Sequence, residues 1–393
     1  MPKAEQIAIT PRVLQWAREA AGVPIEEVAR RLNVPQDEVA VWEREGAAVG
    51  LTQLRSLAAL YRRPMAVLLR SDPPESSDFP PDFRTIGGRE PRTSRPVLTA
   101  LKRARRVQRA MGNLPSGFLM PTVIGVGELS SSPEELGAKE RLRLGVSAAV
   151  QLGFPSANAA FNAWRGRLQA QGVIVLVERM PRDDCRGFAL WEDGLLPTIV
   201  VCNDEGDEAK SFTALHEYGH ILLRSSAACL ELESPGSRGP GSTERWCNRF
   251  AGAVLASREA IAMALAQLHL PEYVTQLTQV TDIARRLRTS RHVVALRLEE
   301  LGMAPKGLYG ALLPLLASDG GKAPVADDAE IRLSSARKAA SELGFLPTLA
   351  VLSAVAAGEA GPADAAELLR IPANKLAALQ SEVERLKSNY AGR

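Results

Sequence analysis

Cysteine is sparse: four residues in a chain of 393, none in paired spacing, leave nothing from which to build a disulfide framework. A charge of one sign is missing too. With 48 Lys and Arg against 45 Asp and Glu, the formal net charge is only +3, so any contact with nucleic acid must come from a local patch. No window approaches the roughly 20 uncharged apolar residues that a membrane span needs, and the opening MPKAEQIAITPRVLQWAREAAG is too polar for a signal peptide. These absences predict a soluble, cytoplasmic protein with no membrane partner. Disorder throughout is excluded as well, because 46% hydrophobic and 24% charged residues are globular values. The length exceeds one ordinary core, so two to four domains are expected. Histidine is as rare as cysteine: His216, His220, His269 and His292 are all there are. Two of them fall in one short segment with a glutamate between them.

Apolar residues recur at helical spacing through the N-terminal region, as in Val13, Trp16 and Ala20, then Ile25, Val28, Ala29 and Leu32, then Val39 and Trp42. Asn33-Val34-Pro35-Gln36 separates the second helix from the third, and Gly46 stops the third. Residues 1–70 thus read as an all-α helix-turn-helix domain. A Pro-rich stretch, Ser71 to Pro81, precedes a basic helix near 97–113 that carries Lys102, Arg103, Arg105, Arg106 and Arg109, and 71–140 reads as linker plus this segment. Its basic run reads chiefly as a solvated helix face. From 141 to 266 the pattern is α+β: a helix over 156–171, strand signals at 172–178, 187–190 and 197–203, a helix over 209–224, a Gly/Ser/Pro-rich loop at 234–242, and one further helix over 243–266. Residues 267–315 return to a helix-turn-helix style, and 316–393 hold a loose stretch and a last helical block that includes 361–379. The expected fold is multidomain and mainly α, with an α+β core between helical modules.

The segment His216-Glu217-Tyr218-Gly219-His220 is an H-E-x-x-H sequence within helical apolar spacing. Positions i and i+4 share a helix face, so both imidazoles can hold one Zn²⁺, and Glu217 projects where it can take a proton from water. A catalytic zinc needs a third protein ligand. Glu244, on the next predicted helix, is the leading candidate; Glu231 and Glu233 are nearer in sequence but lie beside the breaker-rich loop. Cys247, one turn past Glu244, can approach the same site, although a residue there is usually core. Cys185, Cys202 and Cys229 read as packing or surface thiols, and His269 and His292 as structural.

PTIVVCN, AKSFTALHEYGHILL and ERWCNRFAGAVLAS together resemble the ImmA/IrrE family of zinc metallopeptidases. That resemblance implies a zincin-like core with His216, His220 and Glu244 as the metal ligands and Glu217 as the catalytic base. Arg186-Gly187-Phe188 resembles the strand before the family's site. Lys210 stands where the family often has Arg, and Ala256-Ser257 where Met-Pro is frequent; neither departure touches a ligand. The N-terminal region, Asp82-Phe83-Arg84 and ARRLRTSRHVVALRLEELG resemble the long form of the family, in which an Xre-type (lambda repressor-like) domain precedes the peptidase. The resemblance further implies a protein substrate, an Xre-type repressor or antitoxin, cleaved to switch on stress-response, prophage or mobile-element genes.

Two functions fit this sequence. The first is a zinc endopeptidase whose strand at 187–190 or 197–203 pairs with the substrate backbone. The second is a DNA-binding regulator or toxin–antitoxin component that uses its peptidase fold as a sensor. DNA reading would fall to the helix starting at Gln36, with Gln36 and Arg44 as candidate contacts. The remaining charges expected to be exposed there, Asp37, Glu38, Glu43 and Glu45, are acidic and repelled by phosphate. Arg285, Arg286, Arg288 and Arg291 form a second basic group that DNA or a partner could use.

Overall fold

The computed structural model describes residues 6–21, 23–61, 65–72, 94–114, 124–224, 227–229, 242–318, 335–381 and 383. Asp82-Phe83-Arg84, Glu231, Glu233 and most of the Pro-rich and Gly-rich stretches lie outside them. The chain forms two compact units, residues 1–85 with 90–102, and 86–89 with 103–393.

In the first unit β1 (Gln6–Ile9) leads into α1 (Pro11–Ala20), α2 (Ile25–Leu32), α3 (Gln36–Glu45), β2 (Ala47–Gly50), α4 (Leu51–Tyr61) and α5 (Met65–Leu68). Pro11 starts α1 with its ring at a position that needs no amide donor. Asn33 ends α2 in the left-handed region, φ 55°, which turns the chain into α3. Leu14, Ala17, Val28, Val39, Trp42, Leu54 and Leu57 make the core. The unit is not all-α. β1 and β2 pair antiparallel, from Gln6 opposite Gly50 to Ile9 opposite Ala47, and four-residue strands are too short for alternation to announce them. Glu43 also departs from expectation. Its carboxylate takes two hydrogen bonds from Arg18, at 2.6 and 2.8 Å, and its side chain is only 8% exposed. The solvent-facing residues of α3 are Gln36, Asp37, Glu38, Arg44 and Glu45.

Helix α6 (Arg95–Gly112) contains the boundary between the units. The second unit continues with α7 (Pro133–Arg143), α8 (Ala148–Leu152), α9 (Ala157–Ala170), β3 (Ile174–Glu178), β4 (Gly187–Leu190), β5 (Thr198–Cys202), α10 (Asp207–Leu222) and β6 (Ala227–Cys229). Then follow α11 (Ser242–Leu255), α12 (Arg258–Leu268), α13 (Leu277–Leu287), α14 (Arg291–Glu300), α15 (Leu308–Ser318), α16 (Ser335–Leu343), α17 (Phe345–Ala356) and α18 (Pro362–Leu369). The sheet order is β3-β5-β4-β6, with β3 parallel to β5 and β4 antiparallel to both neighbours. Every residue of β3, β4 and β5 is buried, which is why these strands read as unbroken apolar runs. β4 and β5 each have partners on both edges, so neither can take a substrate strand as the sequence suggested. Among the described residues the outer edge of β6 has no strand partner.

One apolar core runs from Ile124 to Tyr309. The expected boundaries at 140/141 and 266/267 fall inside α7 and α12. Helix α7 eludes hydrophobic patterning because it buries charge: Arg141 donates to Gln151 Oε1 at 2.7 Å and to the carbonyl of Val254. The single helix expected over 243–266 is two. α11 stops at Leu255, and Ser257 caps α12 by accepting a hydrogen bond from the Ala260 amide at 3.2 Å.

The basic run of α6 is not simply a solvated face. Arg103 is buried against Glu178 and lies 3.2 Å from Glu342, while Arg370 reaches Glu178, also at 3.2 Å. Arg165 of α9 donates to Val175 O of β3 at 2.9 and 2.7 Å and to Ser341 O and Glu342 O of α16, both at 2.7 Å. Arg286 and Arg288 are likewise spent on the fold, donating to the carbonyls of Leu152 and Phe154. Among the described residues no single helix is long and apolar enough to cross a membrane.

Candidate metal centre

Helix α10 carries Asp207 and Glu208 in its first turn, where carboxylates offset the positive end of the helix dipole. From Thr213 to Leu222 every residue is buried. Two glycines let neighbouring backbones come close enough for that. A Cβ at Gly187 of β4 would sit 2.5 Å from Thr213 Cγ2 and 2.8 Å from Val200 O. A Cβ at Gly219 would meet Cys247 Sγ of α11 at 3.1 Å. The other side of α10 is fixed by charge: Tyr218 Oη donates to Glu140 Oε2 at 2.7 Å, and Arg143 pairs with Glu140 at 2.9 Å.

On the face between β4 and α11, His216 Nε2 and His220 Nε2 lie 3.2 Å apart. Glu244, in the first turn of α11, completes a triangle: its Oε2 is 3.1 Å from His216 Nε2 and its Oε1 is 3.1 Å from His220 Nε2. Burial opposes charge on Glu244, yet the hydrogen bonds with His216 and His220 hold its carboxyl far below the ordinary range. Burial likewise works against a charged His216, but Glu244 reverses the balance and raises its pKa. Two imidazole nitrogens and a carboxylate with these spacings suit a metal ion. Tetrahedral zinc, with bonds of 2.0–2.1 Å, keeps its ligand atoms about 3.3 Å apart. Among the described residues these three are the metal-competent group, with ligand atoms within 4.8 Å of one another. Glu217 is fully buried beside them, on the side of α10 that faces Gly187.

Residues 168–299 match the IrrE N-terminal-like domain of peptidase family M78. The matched stretch runs from the end of α9 into the last turn of α14 and includes the whole cluster. It supports the ImmA/IrrE family and, for this unit, a metallopeptidase. No curated protein matches the chain.

Several residues of the M78 stretch that support the cluster were not legible as such in the sequence. Thr213 Oγ1 donates to the buried Glu205 at 2.9 Å, and Arg186 lies 3.6 Å from the same carboxylate, which fixes α10 one turn before Glu217. Cys247 packs under Gly219 outside the metal-competent group, and burial pushes its thiol pKa up. The thiols of Cys185 and Cys202 donate to Gly187 O and Met180 O, whereas the side chain of Cys229 is outside the described residues. His269 caps the C-terminal end of α12 in the left-handed region, and the His292 ring packs 5.8 Å from that of Tyr309. Gln36 and Arg44 belong to the first unit, on the solvent face of α3.

Gly187 offers a direct check on how closely α10 must approach the sheet. Gly187→Ala puts a methyl group against Val200 backbone as well as Thr213, and overpacking of this kind costs about 1–3 kcal/mol. The urea midpoint of the variant is expected to fall accordingly. An unchanged midpoint would mean that strand and helix are not in the contact described.

Proposed function

We propose that the chain is a zinc-dependent endopeptidase whose substrate is an Xre-type repressor or antitoxin. The observation that carries this reading is the convergence of His216, His220 and Glu244 within hydrogen-bond distance of one another, with Glu217 buried at their side. His216, His220 and Glu244 would hold the zinc. Bound there, zinc supplies Lewis acidity that polarises a peptide carbonyl and brings the pKa of water toward about 7. Glu217 takes the proton of the attacking water and delivers it to the leaving amine as the C–N bond breaks. Arg186, Glu205 and Thr213 keep α10, and so Glu217, in place.

The outer edge of β6 is where an extended substrate would dock, because backbone pairing needs an edge with open donors and acceptors. A protein substrate suits the molecule better than DNA as the main partner: on α3, Gln36 and Arg44 share the solvent face with Asp37, Glu38 and Glu45. The test is cleavage of a co-expressed Xre-type repressor, with metal content measured on the same preparation. One zinc per chain is expected, and chelation should remove metal and cleavage together. Cleavage that persists in metal-free protein would overturn the proposal.

A further inference from the structure

Arg224 stands just past the end of α10, four residues beyond His220. Its backbone is left-handed, with φ 55°, and its side chain reaches Trp191. The guanidinium carbon lies 3.9 Å from the centroid of the Trp191 ring, and Trp191 is the residue that follows β4. Strand β4 and the α10 segment are therefore in register at two points, Gly187 against Glu217 and Trp191 against Arg224, with His220 between them along the chain. β6 retraces the same path, Ala227 opposite Ala189 and Cys229 opposite Gly187. A peptide laid along the outer edge of β6 would run alongside β4, from the level of Trp191 and Arg224 to the level of Gly187 and Glu217. From Gly187 to Trp191 the strand advances four residues, about 13 Å at 3.3 Å per extended residue, so about four residues of a parallel-running substrate separate the level of Glu217 from that of Arg224.

We propose that Arg224, seated on Trp191, determines specificity by binding an acidic side chain within about four residues of the scissile bond. This rests on the peptidase reading given above. Stacking engages the face of a guanidinium and leaves its N–H donors in the plane, where a carboxylate can accept two of them side by side. The Trp191 contact also orders the long arginine side chain before substrate arrives, which lowers the entropy lost on binding. Arg224 is exposed, so its replacement leaves the buried core of α10 intact.

The test uses the full-length protein and quenched peptides in which one Asp is walked along an otherwise uncharged sequence, with Asn and Lys counterparts. For the best register, kcat/KM is expected to be ~10-fold higher with Asp than with Asn, as one charge-assisted contact gives. Arg224→Gln should compress that preference to less than about twofold, and Arg224→Glu should turn it toward Lys. The same peptides are then bound to the Glu217→Gln protein, read by fluorescence anisotropy without turnover, with and without Arg224→Gln. Asp-selective binding that depends on Arg224 supports the proposal even where no peptide is cleaved, an outcome that would defeat the peptidase reading alone. Equal handling of Asp and Asn by the wild-type chain, or a preference that survives Arg224→Gln, overturns it, as does failure to bind any peptide.

Discussion

Glu217→Gln is expected to abolish peptide cleavage while the metal stays bound. Glutamine keeps the shape of a side chain that is fully buried and packed against β4, so the close approach at Gly187 is preserved. What it removes is the capacity to accept a proton. General-base catalysis contributes about 10²–10⁴-fold to rate, and loss of the acceptor next to a metal site falls at the upper end or beyond. The three metal-competent residues are untouched, so zinc content should match the wild type. A thermal melt run on the same preparation should differ by only a few degrees. Cleavage at the wild-type rate would sink the assignment of Glu217 as the base and with it the mechanism.

Glu244→Ala should give the opposite pattern, losing the metal first and activity as a consequence. Removing the carboxylate deletes one of three ligands and leaves two imidazoles whose nitrogens are 3.2 Å apart with no anion between them and solvent. Its side chain is 28% exposed and sits in the opening turn of α11, so the fold itself should survive. The measurement is the gain in unfolding free energy on adding zinc. A ligand present at 1,000 times its dissociation constant adds about 4 kcal/mol, and that gain should vanish in Glu244→Ala. His216→Ala should lose the metal too, but with an additional loss of stability in the metal-free state, because His216 is almost wholly buried. A variant at Glu244 that binds zinc as tightly as the wild type would mean that another residue completes the site.

The helix bearing H-E-x-x-H, the three apolar strands beside it and Glu244 on the following helix were legible from residue types and spacing alone. They are the parts of the chain where pattern and burial agree: β3, β4 and β5 are apolar because they are covered on both faces, and α10 has helical spacing because it lies on them. The rest was hidden for specific reasons. Helix α7 has Glu140 and Arg141 inside, hydrogen-bonded to Tyr218, Arg143, Gln151 and Val254, and burial through hydrogen bonds leaves no hydrophobic period to read. The break between α11 and α12 depends on one serine hydroxyl. β6 is three residues long and owes its conformation to β4, not to its own composition. Glu43 carries a charge that suggests solvent, and only the position of Arg18 on another helix reveals that it is inside.

Arg165 has a consequence for how copies of the molecule can associate. By holding Val175 O from the side and fastening α16 next to it, it seals the β3 margin of the sheet. A sheet with two open margins can add neighbours at both ends and grow without limit. This one offers a single open margin among its described strands. Pairing there between two copies uses the same margin on each, and the product of that contact is a closed two-fold pair rather than a fibre. Substrate and second copy would then compete for one place, so self-association through the sheet would slow peptide cleavage as protein concentration rises.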